Sequence, residues 1–508
     1  MHIGTLLPRH ARYRPDHLAL VVGEHRLTYH ELNTYVNRLA NALLASGIRK
    51  GDKMATVLSN SLELMAAYWA AAKTGMVIVP CSPLLQASGL ATLLKDSDTL
   101  LVLADAASAP LIASIRDQLP AIAEDRYIQV GETPHPGFQR YHAWLSAAPQ
   151  IEPPDAGITS DDVYNIMYSS GTTGAPKGIV HTHLVRAMYC TLFASSWRMT
   201  PESRVLHAGS IVFNGAMLDL MPWMYLGCTY ILHESFNPDA VIRDCEQAQV
   251  THMVMVPSQI IALLNSATFT PQAMASLEML HNVGAPLHLE HKRQINEVLP
   301  RRFYELYGLT EGFMTILDKH DAVRKLGSVG APPPFFDLRI LREDGSECAP
   351  GEVGEICGKS PMLMPGYYKR PDLTAKAIID GWLHTGDAGY VDEDGYLFLV
   401  DRLKDMIITG GVNVYPRDIE ELIIQHPAVS EVAVFGVPDT KWGETPVAAV
   451  VLRQGESITP ESLKDWINER VDAKFQRVTD VVMMENFPRN VAGKTLKREM
   501  REQYQQQR

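Results

Sequence analysis

The sequence predicts an α/β protein: a large N-terminal domain of two α/β sheet subdomains with a small β subdomain, followed by a small α+β C-terminal domain. Three observations point there. Short apolar runs alternate with runs of helical period over roughly the first three hundred residues, the order that makes parallel sheets with helices on both faces. Glycine and proline then become dense from Lys325, with short β-like runs between them. Beyond Asp405 about a hundred residues carry a separate set of strands and helices, enough for an independent domain. The expected boundaries are 1–401 for the N-terminal domain (β subdomain about 325–400), 402–406 for the segment that joins the domains and 407–508 for the C-terminal domain.

The elements follow in order. Leu27-Thr28-Tyr29 is extended and leads into a helix from Glu31 to Ser46, where Leu32, Val36, Leu39, Ala40 and Leu43 fall on one face and Gly47 and Gly51 close it. Lys53 to Leu58 reads as a strand, Ser61 to Lys73 as a helix and Met76 to Pro80 as a strand, and the alternation resumes from Thr251 to Tyr304. In the glycine-rich segment Asp337 to Leu341 and Val353 to Cys357 read as strands, and Asp394-Gly395 is a hairpin signal between Gly389-Tyr390-Val391 and Tyr396 to Val400. In the C-terminal domain Ile419 to Gln425 and Pro460 to Val471 are helical, while Val429 to Val437 and Val447 to Leu452 are strands.

Composition removes several functions. The chain has 508 residues and a formal charge of −12, which argues against general nucleic-acid binding, since that needs a positive surface to displace counterions. Six scattered cysteines without a C-x-x-C pair read as reduced core residues. His181-Thr182-His183 reads as a polar helix start, because no further ligands cluster near it. The apolar stretch Met65 to Val79 is interrupted by Lys73 and Gly75 and is too short to span a bilayer. The chain is expected to be cytoplasmic, without stable membrane insertion.

Chemistry concentrates after the strand Asn165-Ile166-Met167-Tyr168. The run Ser169-Ser170-Gly171-Thr172-Thr173-Gly174-Ala175-Pro176-Lys177-Gly178 combines small residues, whose backbone N–H groups can approach phosphate oxygens, with four hydroxyls and one lysine suited to β- and γ-phosphates. It is not a Walker A loop, whose G-x-x-x-x-G-K-[ST] string is absent.

Tyr168 to Gly178 resembles the phosphate loop of the adenylate-forming superfamily, which includes acyl-CoA synthetases, firefly luciferase and nonribosomal peptide adenylation domains. The resemblance runs the length of the chain, with further motifs in the family's order. It implies that His281-Asn282-Val283-Gly284-Ala285-Pro286 lines adenine with backbone. It implies that in Glu305-Leu306-Tyr307-Gly308-Leu309-Thr310-Glu311 Tyr307 stacks on adenine, Thr310 contacts the α-phosphate and Glu311 binds Mg²⁺. In Trp382-Leu383-His384-Thr385-Gly386-Asp387 the aspartate would take the ribose hydroxyls, with Arg402 reaching the same sugar. Lys494, in the string Pro488-Arg489-Asn490-Val491-Ala492-Gly493-Lys494, would stabilise the charge that grows as a carboxylate attacks phosphorus. Lys404 matches the family's hinge position, which implies a hinge over 402–406 and a mobile C-terminal domain over 407–508. Rotation there would exchange Lys494 for Gly410, Gly411, Val412 and Asn413, whose two glycines leave room for a pantetheine arm.

The resemblance thus implies ATP, Mg²⁺ and coenzyme A as cofactors and an AMP-forming acid–thiol ligase as the activity, commonly a homodimer. The family's P-x-[FY]-H-x-x-G motif departs here to Gly209-Ser210-Ile211-Val212-Phe213-Asn214-Gly215, with Val212 at the histidine position. Val212, Phe213, Asn214, Asn282, Gly284, Gly308 and Phe313 are candidates for the acid pocket. No acidic residue stands where an amino acid's ammonium would be held. The expected acid is therefore an aromatic one of benzoate or cinnamate type, or a short-to-medium aliphatic one; the alternative acceptor is the phosphopantetheine of a carrier protein.

Overall fold

The computed structural model describes residues 1–169, 177–402, 405–410, 412–440, 442–489 and 495–506. The chain divides into two compact units: residues 1–283 with 308–313 and 360–376, and residues 284–307, 314–359 and 377–508.

The first unit holds two largely parallel sheets. One runs in the order Gln139–Arg140, Tyr127–Gln129, Thr99–Ala104, Lys53–Val57, Val77–Cys81, Val163–Ser169, Lys177–Thr182. Its strands are parallel except at the last pair, an antiparallel hairpin that places Ser169 opposite Lys177 across the phosphate-loop segment. The other places Met279–Asn282 beside His252–Met255, then Arg204–His207, Thr229–Leu232 and Leu18–Val22, all parallel, with His25–Thr28 antiparallel at the far edge. Helix Tyr29–Ala45 starts in a capping box: the Thr28 hydroxyl accepts from Glu31 N while the Glu31 carboxylate accepts from Thr28 N. Helix Leu62–Thr74, capped by Ser61, is buried on every side, which explains why its sequence is apolar without a polar stripe. Val57, Val79, Val102, Ile112 and Ile166 are among the fully buried side chains of one core, each contributing about 1.5–3 kcal/mol by leaving water.

The second unit contains two smaller sheets. Asp337–Leu341, Gly354–Lys359, Trp382–Val391, Ile378–Ile379 and Leu397–Arg402 form an antiparallel sheet, as the glycine-rich stretch predicts. Farther on, Val412–Val414, Ile407–Thr409, Gly443–Leu452 and Val429–Asp439 pair antiparallel, and Asp480–Met483 adds parallel to Gly443–Leu452. Helices Pro416–Ile423 and Pro460–Asn468 cover one core and Lys497–Gln506 another. The expected hinge at 402–406 falls within this unit, with 403 and 404 outside the described residues. Among the described residues no helix is long and apolar enough to cross a membrane. All six cysteines are free, five of them buried.

Candidate active site

Residues 170–176, which hold Ser170, Gly171, Thr172, Thr173 and Gly174, lie outside the described residues, as do Lys404, Gly411 and Lys494; of Ser169, Arg402 and Asn413 only the backbone is described. The rest of the site is built in each unit separately.

In the first unit the strand Lys177–Thr182 follows the segment expected to hold phosphate and carries two groups of consequence. Lys177 lies with Nζ 5.2 Å from the centroid of the Tyr367 ring. His181, fully buried on the same strand, donates from Nε2 to the Thr310 carbonyl at 2.8 Å. Its Nδ1 accepts from Asn165 Nδ2 and from Arg186 Nη2, each at 3.1 Å. Burial, and next the Arg186 charge, drive its pKa well below the ordinary imidazole value, so the ring is neutral and this tautomer is the one its partners require. Thr182 ends the strand and caps helix His183–Ser196 by accepting from Val185 N, so the His-Thr-His string is a strand end plus a helix start.

Glu311 is held twice by the segment that crosses it. Its carbonyl accepts from Met364 N at 2.8 Å, and its Oε1 accepts from the Tyr367 hydroxyl at 2.8 Å. The same segment pairs with the phosphate-loop strand: Val180 N donates to Gly366 O at 3.3 Å and Tyr368 N to Gly178 O at 2.7 Å. Gly312, at φ +109°, lies so close to residues 362–363 that a Cβ there would fall 2.1 Å from the Met362 carbonyl oxygen.

Of the acid-pocket candidates, Val212, Asn282 and Phe313 are buried, Phe213 and Asn214 are half-buried and Gly308 is exposed. Asn214 Nδ2 donates to the Tyr189 hydroxyl at 3.2 Å, and Gly215 sits against Val283, so this loop approaches the end of strand Met279–Asn282.

In the second unit the Tyr307 hydroxyl donates to Asp387 Oδ2 at 2.8 Å. Thr385 and Glu355 shape the turn before Asp387: Thr385 Oγ1 donates to Ile356 O at 2.7 Å and accepts from Asp387 N at 3.1 Å, while Glu355 accepts from Gly386 N at 3.1 Å and His384 Nδ1 at 2.9 Å. Glu355, Cys357 and His384 consequently bring their donor atoms within 4.8 Å of one another. Burial, then the Glu355 charge, pushes the Cys357 thiol up to about 12, so it is protonated beside a carboxylate already satisfied by hydrogen bonds. Asp387 and Arg402 face each other across the antiparallel pair Trp382–Val391 and Leu397–Arg402. Leu306 and Glu305 are buried; Glu305 pairs with Lys292, which leaves that stretch its backbone rather than its carboxylate for a ligand. Gly284 adopts φ +92° at the turn that includes Ala285 and Pro286. Gly410, at φ +60°, donates its N–H to Trp442 O at 2.7 Å and lies under the indole, where a Cβ would meet Cε3 at 2.9 Å.

His181 and Tyr367 are the functional candidates that the motifs do not announce. Their partners lie 129 and 56 residues away, and only the fold brings them together.

Comparison with known proteins covers the whole chain. It matches the AMP-binding enzyme family over residues 7–368 and the AMP-binding enzyme C-terminal domain over 418–494. It is 35% identical over 509 residues to a feruloyl-CoA synthase of Amycolatopsis sp, covering 99% of each protein. It is also 35% identical over 509 residues to the long-chain-fatty-acid–CoA ligase FadD13 of Mycobacterium tuberculosis, covering 99% of this chain and 98% of that protein. The crystal structure of ATP-bound MatB from Rhodopseudomonas palustris superposes with a TM-score of 0.90 at 30% identity, over 99% of each chain. The chain belongs to the AMP-binding enzyme family.

Proposed function

We propose that this enzyme activates a carboxylic acid with ATP and transfers the acyl group to coenzyme A. The observation that carries the reading is the bond between Tyr307 and Asp387, 80 residues apart: a ring that suits the face of a purine is tied to a carboxylate that suits two ribose hydroxyls. In the first step a carboxylate oxygen attacks the α-phosphorus, the bond to the bridging oxygen breaks and pyrophosphate leaves. In the second step the thiolate sulfur attacks the acyl carbon, AMP leaves with the electron pair of the C–O bond, and a thioester remains. Ser169 to Gly174 and Lys177 hold the phosphates. Thr310 contacts the α-phosphate. Lys494 supplies positive charge to the first transition state.

Glu311 suits Mg²⁺ by its donor chemistry: Tyr367 occupies one carboxylate oxygen, and the other has no protein partner among the described residues. When bound, Mg²⁺ neutralises charge on the departing phosphates. Residues 407–508 turn about the hinge at Lys404, which exchanges Lys494 for the Gly410–Asn413 loop and admits the thiol.

The acid is of aryl type. Val212 and Phe213 line its pocket with apolar surface, Asn214 adds one amide, and a relative is named for feruloyl-CoA. Pyrophosphate release from ATP and Mg²⁺ across a panel of acids, with and without CoA, tests this. The expected result is turnover with benzoates or cinnamates that multiplies when CoA is added. Release indifferent to CoA would transfer the reading to a carrier-protein ligase, and turnover confined to chains longer than dodecanoate would overturn the aryl assignment.

A further inference from the structure

We infer that Tyr367 is a positioning residue for adenylation, a spacer that keeps the phosphate-binding cation and the metal-binding carboxylate apart while fixing both. The inference rests on the roles proposed above for Lys177 and Glu311. These two side chains carry opposite charges in the same unit, yet no ion pair joins them. Tyr367 stands between. Its ring lies 5.2 Å from Lys177 Nζ, within range of a cation–π attraction, and its hydroxyl donates to Glu311 Oε1 at 2.8 Å. Tyr367 is itself 7% exposed.

The backbone makes the spacer stiff. Tyr367 bridges Ile179 on the strand that carries Lys177, and its N–H donates to Thr374 Oγ1 at 2.9 Å. Met364, three residues earlier, holds the Glu311 carbonyl. One short segment thereby reaches the exit strand of the phosphate loop, the backbone of Glu311 and the carboxylate of Glu311. Without the hydroxyl the carboxylate loses the donor that fixes its orientation and is no longer held ready for a cation.

The test compares wild type with Tyr367→Phe, which keeps the ring beneath Lys177 and deletes only the donor. Three quantities are measured: Mn²⁺ affinity of the enzyme–ATP complex by electron paramagnetic resonance, the Mg²⁺ dependence of pyrophosphate release, and CoA capture of a supplied acyl-adenylate. The expected result is Mn²⁺ binding weakened about tenfold, with adenylation restored toward wild type by high Mg²⁺ and adenylate capture within about twofold of wild type, which also reports an intact fold. Wild-type Mn²⁺ affinity and Mg²⁺ dependence in Tyr367→Phe overturn the inference. So does a loss of all three quantities together, which marks a structural role. The failure of the underlying reading looks different: there the wild type itself releases no pyrophosphate with any acid, or binds no Mn²⁺ with ATP.

Discussion

His181 has no short motif of its own. Its Nε2–H reaches the Thr310 carbonyl, while Asn165 and the buried Arg186 point donors at Nδ1. The imidazole is a strut between the exit strand of the phosphate loop and the threonine assigned to the α-phosphate. Glutamine and asparagine separate its two ends: Gln places an N–H near the ε position and can still reach Thr310, whereas Asn reproduces only the δ end. The expected outcome is that His181→Gln keeps pyrophosphate release within about threefold of wild type and His181→Asn loses about tenfold, the scale of one buried hydrogen bond. Equal rates in the two variants, both folded by circular dichroism, would remove the strut. The motif residues Tyr307 and Asp387 are legible because each belongs to a short string with a chemical reason for its side chains. His181 and Tyr367 are not, because what defines them is a partner far along the chain.

At the scale of the element the alternation of strands and helices is readable because parallel strands must be apolar on both faces, and the ends are readable because Thr28, Ser61 and Thr182 are side-chain caps. What no local pattern shows is that Lys73, near the end of an otherwise apolar helix, is buried. Its Nζ donates to Asn33 Oδ1 at 2.6 Å, Asn37 Oδ1 at 2.5 Å and Glu152 Oε2 at 2.7 Å, so three residues of two other segments converge on one helix end. Burial lowers the Lys73 pKa to about 8 against the pull of Glu152. A folded lysine near 8 and an unfolded one near 10.5 make stability rise with pH across that window, because the unfolded chain binds the extra proton. Glu152→Gln removes the counter-charge. With Glu152 about half exposed and therefore screened, the expected loss is about 1–2 kcal/mol at pH 7 in urea unfolding. The gap to wild type should close by about pH 9.5, where the lysine is neutral in the folded state; a gap of constant size would show that charge is not its cause.

At the scale of the molecule the two units differ in how many imidazoles they keep from water. The first buries His10, His181, His183, His207, His252 and His281, and of these His10, His181, His183 and His281 have pKa values below the ordinary one; in the second His291 is the buried counterpart with a lowered value. Burial is the first cause in every case, and it brings His183 and His291 to about 4 and His281 to about 3. A group whose folded pKa is depressed is neutral in the folded state while the unfolded chain takes up a proton below about 6.5. Stability is therefore intact above that pH and falls as the pH drops toward the folded values, by about 1.4 kcal/mol per pH unit for each such histidine. The first unit should then lose stability faster than the second as the pH falls below about 6.5. Scanning calorimetry at half-unit steps should show one transition moving down steeply and separating from the other. His281→Phe isolates one contribution: the ring packs on Trp197 with centroids 4.5 Å apart, both its nitrogens are buried without a hydrogen-bond partner among the described residues, and phenylalanine keeps the aromatic contact. That variant should be more stable than wild type at about pH 5, and its steep transition should move less with pH. A slope unchanged by the substitution would mean that His281 is already protonated or solvated in the folded protein, and the acid sensitivity of the first unit would have to come from its carboxylates instead.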